Sequence, residues 1–135
     1  MKNYILLFLI GITFVNCSND DDIAASDLPT NARVIGNWNW ISSSGGIGGW
    51  TYTPDSTGDT QRLEITDSTI TFYKNGEETF TDTYTIETRE SVIYSGTREM
   101  IIADTGFRNI VEFDDNTLIL IGDCNDCFAS GYVRE

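Results

Sequence analysis

The chain contains no histidine. That absence removes both the commonest general base and the commonest zinc ligand, so any catalysis would have to rest on carboxylates, tyrosine or cysteine. Basic side chains are scarce as well. Eight Lys and Arg stand against 21 Asp and Glu, for a formal net charge of −13. A surface of that sign repels nucleic-acid phosphates and anionic headgroups, which sets nucleic acid aside as a partner. No segment carries a sustained helical period, and no apolar run reaches the roughly 20 residues a helix needs to cross a bilayer. The longest such run, Tyr4 to Val15, is already softened by Gly11 and Thr13. Cysteine is confined to Cys17, Cys124 and Cys127.

The first of these cysteines ends the segment that decides where the protein goes. Lys2, the short apolar run and Cys17 have the layout of an export signal over residues 1–16. Phe14-Val15-Asn16-Cys17 resembles a lipobox, with Phe14 and Asn16 where Leu and a small residue are usual. The resemblance implies that the Cys17 thiol receives a diacylglyceryl group, that the signal is cut before Cys17, and that the new amine takes a further acyl chain such as palmitate. Two or three chains hold a protein on a membrane stably, whereas one does so only marginally. Residues 17–33 then read as an acidic, flexible tether, because Ser18-Asn19-Asp20-Asp21-Asp22 cannot bury its charge. That acidic run also resembles the signal that sends lipoproteins of the Bacteroidota to the outer face of the outer membrane. The implied location is therefore the outer membrane, lipid-anchored and facing the exterior.

Residues 34–135 make one domain of roughly 100 residues, enough to bury a core. From Gly36 onward the sequence is a series of short alternating apolar runs separated by turn residues, the pattern of an antiparallel sandwich or barrel. Strands are predicted near Gly36 to Ser43, Thr60 to Thr66, Thr69 to Asn75, Glu78 to Glu87, Ser91 to Ser95, Thr97 to Ala103, Phe107 to Phe113, Thr117 to Gly122 and Cys127 to Arg134. Asn75-Gly76 is the strongest hairpin signal, since a type I′ turn needs positive φ at both central residues. Hairpin succession favours a small up-and-down antiparallel β-barrel of eight or nine strands, with a sandwich as the alternative.

Gly36-Asn37-Trp38 at the start of the first strand is similar to the Gly-x-Trp that opens the lipocalin barrel. The wider pattern, with its Gly-rich loop, Tyr52-Thr53-Pro54, Asn116-Thr117-Leu118 and Asp123-Cys124-Asn125-Asp126-Cys127, resembles the small lipocalin-like lipoproteins of the Bacteroidota. By that resemblance Gly36, Trp38 and Arg134 close one end of the barrel, with the guanidinium lying over the indole. The domain is shorter than a typical lipocalin and lacks a C-terminal helix.

Candidate ligand contacts are Trp40, Phe72 and Tyr84 on inward strand faces, and Trp50 and Tyr52 on the long Gly-rich loop from Ser44 to Asp59. That loop reads as a flexible lid, or as a cover folded over the barrel mouth. Asp82 is a charge on the apolar face it shares with Phe80, Tyr84 and Ile86. It marks either a ligand contact or a bulge or mouth that water reaches. Cys124 and Cys127 form one Cys-x-x-Cys without the further ligands of a zinc site, and in an exported chain a disulfide across the turn fits best. The acidic turns Asp114-Asp115-Asn116 and Asp123-Asn125-Asp126 are turn formers before they are calcium ligands. No metal and no cofactor is implied.

These residues suggest a monomeric, non-enzymatic, lipid-anchored barrel that binds a small apolar or amphipathic molecule. The competing reading is a barrel filled with its own side chains that contacts protein or glycan. A carboxylate enzyme ranks last, because it needs two converging acids and only Asp82 looks inward.

Overall fold

A computed structural model describes residues 24–135. Cys17 and the leader lie outside the described residues. A 3-10 turn, Ala25–Asp27, and a short helix α1, Thr30–Val34, lead into nine strands: β1 Gly36–Gly45, β2 Trp50–Tyr52, β3 Gln61–Ile65, β4 Thr69–Lys74, β5 Glu77–Glu90, β6 Thr97–Ala103, β7 Arg108–Asp114, β8 Thr117–Gly122 and β9 Phe128–Arg134. A one-turn helix α2, Pro54–Thr57, lies between β2 and β3. Among the described residues no helix is long and apolar enough to cross a membrane.

Every strand pairs antiparallel with its neighbour, and β1 pairs with β9 to close the sheet. The result is the expected up-and-down barrel, of eight strands with β2 as an extra strand hydrogen-bonded to the far end of β1. Closure leaves β1 with partners on both sides: Gly36 to Asn39 pair with β3, while Trp38 to Gly45 pair with β9. Period-two alternation sends Trp38, Trp40, Leu63, Ile65, Ile70, Tyr84, Ile101, Leu118, Leu120 and Tyr132 into the interior, where all are buried. Their burial supplies the main driving force for the fold, about 25 cal/mol per Å² of apolar surface. On the opposite face of β5, Thr79, Thr81, Thr83 and Thr85 are exposed, as the alternation predicts.

Asn75 and Gly76 turn between β4 and β5 with φ of 53° and 83°, the left-handed pair a type I′ turn requires. A bulge lies nearby, between Phe72 and Tyr73.

Two expectations are corrected. Ser91 to Ser95 is a turn, and β5 runs on to Glu90, paired with Thr97. The Ser91 hydroxyl accepts from the N–H groups of Ile93 and Tyr94, at 3.2 and 3.0 Å, and so holds those donors in a turn instead of a ladder. Ser44 to Asp59 is likewise not one long irregular loop but carries the end of β1, β2 and α2. Gly46 and Gly49, at φ of 73° and 60°, turn β1 back on itself so that Gly45 pairs with Trp50. Thr53 and Ser56 then cap α2 reciprocally, with Pro54 as its first residue.

Candidate functional site

The closed end of the barrel is built on Gly36. Its φ of 142° suits glycine alone, and a Cβ there would overlap the Arg134 guanidinium. With that space free, the Arg134 guanidinium lies 4.2 Å over the Trp38 ring and donates to the Ile35 and Arg33 carbonyls at 2.8 and 2.7 Å. Trp38 is 1% exposed, and its Nε1 donates to the Val34 carbonyl at 2.7 Å. Arg33 in turn lies 3.8 Å over Phe113, so α1 is fastened across this end by one guanidinium–aromatic contact and by the hydrogen bonds its Arg33 and Val34 carbonyls accept from Arg134 and Trp38. The segment leading from the N-terminus therefore enters the barrel at its closed end.

The opposite end is open. A cavity of about 810 Å³ is lined there by Phe72, Phe80, Phe107 and Phe128, with Leu120, Tyr132, Asn109 and Ser130 among its other walls. Phe80 and Phe128 are 39% and 36% exposed, so aromatic surface reaches solvent at the rim. Phe72 contacts both Phe80 and Phe107, with ring centroids 5.9 and 6.1 Å apart, which makes one continuous aromatic wall. Burial pushes the Tyr132 hydroxyl up to about 12, so it is neutral at physiological pH.

Of the six predicted ligand contacts, only Phe72 lines this cavity. Trp40 is buried in the core behind the cavity wall, its Nε1 donating to Ser43 at 2.8 Å, and Ser43 shares a 2.6 Å hydrogen bond with the lining residue Ser130. Tyr84 is buried there too, its hydroxyl donating to the Thr66 carbonyl at 2.7 Å. Trp50 and Tyr52 stand on the β1–β2 hairpin beside the mouth. Trp50 is 55% exposed, while Tyr52 packs at a tilt against Phe128 with ring centroids 6.0 Å apart. Neither lines the cavity.

Asp82 is half-buried at the rim and accepts from the Thr105 hydroxyl at 2.6 Å, the Thr105 N–H at 3.0 Å and the Thr83 N–H at 2.9 Å. The Thr105 hydroxyl, foremost, and its backbone N–H hold the carboxyl below its usual value. Its task is to fix the turn that carries Thr105 and Gly106 into the cavity wall.

Sequence reasoning missed Asp123. Its side chain is fully buried, accepting at Oδ1 from the Ser91 hydroxyl at 2.7 Å and the Val92 N–H at 2.8 Å. Its Oδ2 lies 2.7 Å from Arg108 Nη2, which also donates to the Glu90 carbonyl. Burial alone would raise this carboxyl, but the Ser91 and Val92 hydrogen bonds and the Arg108 charge outweigh it and hold the value below normal. One carboxylate thus ties the turn after β8 to the turn after β5. No local signal distinguishes it from the other turn aspartates.

Cys124 and Cys127 lie at disulfide distance in the turn after β8, with Cα atoms 5.4 Å apart, and both border the cavity. The neighbouring acidic turns behave as turn formers: Asp115 and Asp126 adopt φ of 49° and 64°. Among the described residues no group of three or more Asp, Glu or Cys is gathered as a metal site requires.

The fold defines a small β-barrel with a phenylalanine-walled cavity at one end and, under the N-terminal segment at the other, a second cleft of about 810 Å³ lined by Leu28, Arg33, Trp38, Phe113 and Arg134. No family model matches the chain, and neither a curated protein nor a solved structure matches it.

Proposed function

We propose that this protein is a lipid-anchored, non-enzymatic binder of a small apolar or amphipathic molecule at the cell surface. The observation that carries this reading is the cavity of about 810 Å³ with its wall of four phenylalanines. Ligand sites of small molecules have volumes of about 300–1,000 Å³, mostly apolar walls and a few polar groups to set orientation. Asn109 and Ser130 are such groups here. The cavity favours this reading over the competing one, a barrel filled with its own side chains that contacts protein or glycan.

The export signal and Cys17 support the anchored location, and the resemblance to lipocalin-like lipoproteins agrees with both. Anchorage through Cys17 would hold the barrel by its closed end, since α1 is fastened there, with the mouth at the other end.

The test uses the full chain in neutral phosphatidylcholine nanodiscs, with empty nanodiscs as the blank. N-phenyl-1-naphthylamine, a neutral aromatic dye, should bind saturably and brighten. Asn109→Trp, which places an indole in the cavity, should weaken that binding about tenfold or more. Trp50→Ala should leave it unchanged. An absence of saturable binding, or equal binding by Asn109→Trp, would overturn the proposal.

A further inference from the structure

We infer that the ligand of this cavity carries a neutral carbonyl oxygen on an apolar body, as a ketone, ester or amide does, and that Arg108 receives that oxygen. The inference rests on reading the cavity as a binding site, and it names the polar group that site selects. Two observations on lining residues carry it.

The first is an open place on the Arg108 guanidinium. Arg108 and Asp123 both line the cavity, and Arg108 Nη2 lies 2.7 Å from Asp123 Oδ2. An arginine and a carboxylate commonly meet through two parallel hydrogen bonds that engage both oxygens. Here Asp123 Oδ1 is already taken by the Ser91 hydroxyl and the Val92 N–H, at 2.7 and 2.8 Å. The fork is therefore half made. The other contacts of the guanidinium, to the Glu90 carbonyl at 3.1 Å and the Met100 sulfur at 3.7 Å, also leave from Nη2. Nε is buried and has no hydrogen-bond partner among the described residues. A buried donor without an acceptor is rare and costs free energy, and an acceptor supplied by a ligand removes that cost. The Arg108 side chain is 37% exposed, which lets it shift to admit the incoming oxygen.

The second is the charge balance of the wall. The Arg108 charge is matched by Asp123, and no Lys or other Arg lines the cavity. A ligand carboxylate would shed its hydration, set a second negative charge beside Asp123, and find no second cation. An ammonium has only donors to present to the Nε–H. A neutral carbonyl oxygen accepts that one N–H and brings no charge to desolvate. The apolar body then lies against the wall of Phe72, Phe80 and Phe107.

The test compares four probes of similar shape: 5-phenylpentan-2-one, the matching anion 4-phenylbutyrate, the cation 4-phenylbutylammonium, and pentylbenzene, which has no polar group. Affinities are read by displacement of N-phenyl-1-naphthylamine from the full chain in neutral nanodiscs, corrected for uptake by empty nanodiscs. The ketone should bind about tenfold or more tighter than either ion. Infrared difference spectra with an isotope-labelled carbonyl should place the bound stretch below its frequency in cyclohexane, the mark of an accepted hydrogen bond. Arg108→Lys keeps a cation for Asp123 but has no N–H at the Nε position. It should weaken the ketone about fivefold or more, leave pentylbenzene within about twofold, and move the carbonyl band back toward the cyclohexane frequency. An ion bound as tightly as the ketone overturns the inference, and so does an equal loss of ketone and pentylbenzene in Arg108→Lys. Wild-type affinities and spectra decide the question even where the variant does not fold. If the dye and pentylbenzene bind but the carbonyl band stays at its cyclohexane frequency, this inference alone falls. If neither the dye nor any probe binds, the binding reading falls and takes this inference with it.

Discussion

Replacing Asp123 by alanine removes the one acceptor shared by Ser91, Val92 and Arg108. Two donors inside the structure lose their partner, and a guanidinium loses its counter-charge. Removing one member of a fully buried pair costs about 3–5 kcal/mol. Arg108 keeps a 37% exposed side chain and regains some hydration, which brings the expected loss to about 2–4 kcal/mol. For a domain of this size that corresponds to a melting temperature lower by roughly 10–20 °C. Asp123→Asn should cost less, about 1–3 kcal/mol, because it retains an acceptor for Ser91 and Val92 while turning an amide toward Arg108. Urea unfolding of the wild type and both variants reads these differences. Acidity supplies a second check with a definite sign. The folded carboxyl lies below its ordinary value of 3.8, so its stabilisation is complete above that value and is lost as pH falls through the lower folded value. The alanine variant should lose this part of the acid dependence. A loss below about 1 kcal/mol for alanine, with the acid limb unchanged, would refute the view that Asp123 clamps the two turns together.

Gly36→Ala should cost about 1–3 kcal/mol, through the strained φ and the displacement of Arg134, and Trp38 fluorescence should shift as its cover moves. A melting curve and emission spectrum identical to wild type would contradict that account. Because burial raises the Tyr132 hydroxyl to about 12, the unfolded chain ionises first as pH climbs above 10. Stability carried by this group is intact below 10 and is lost as pH rises through about 12, so Tyr132→Phe should flatten alkaline unfolding over that range. An unchanged alkaline limb would assign the effect elsewhere. Cys17→Ser should release the chain from the membrane fraction while the circular dichroism of the barrel stays the same. A variant still bound, with its leader attached, would show that the anchor is the apolar segment and not the lipid.

Much of the architecture can be read along the chain, because strand identity and hairpin turns depend on residues close in sequence. Alternation of apolar and polar residues marks β3, β4 and β5, since successive side chains in a strand point to opposite faces. Asn75-Gly76 specifies its turn because few other pairs adopt positive φ at both positions. The capping residues Thr53 and Ser56 flanking Pro54 are an equally local signal, set within a glycine-rich segment. Which inward side chains fill the barrel and which line an opening was not legible. The level at which each strand crosses the interior follows from the tilt and stagger of the closed sheet, a property of all eight strands together. Trp40 and Tyr84 therefore pack in the core without lining the cavity, although alternation alone ranks them beside Phe72. Phe128 reaches the cavity from the first position of β9 and Phe107 from the residue before β7, where the turns set their direction. Asp123 meets Val92 across 31 positions of sequence, and only the folded barrel brings those two turns within hydrogen-bonding distance.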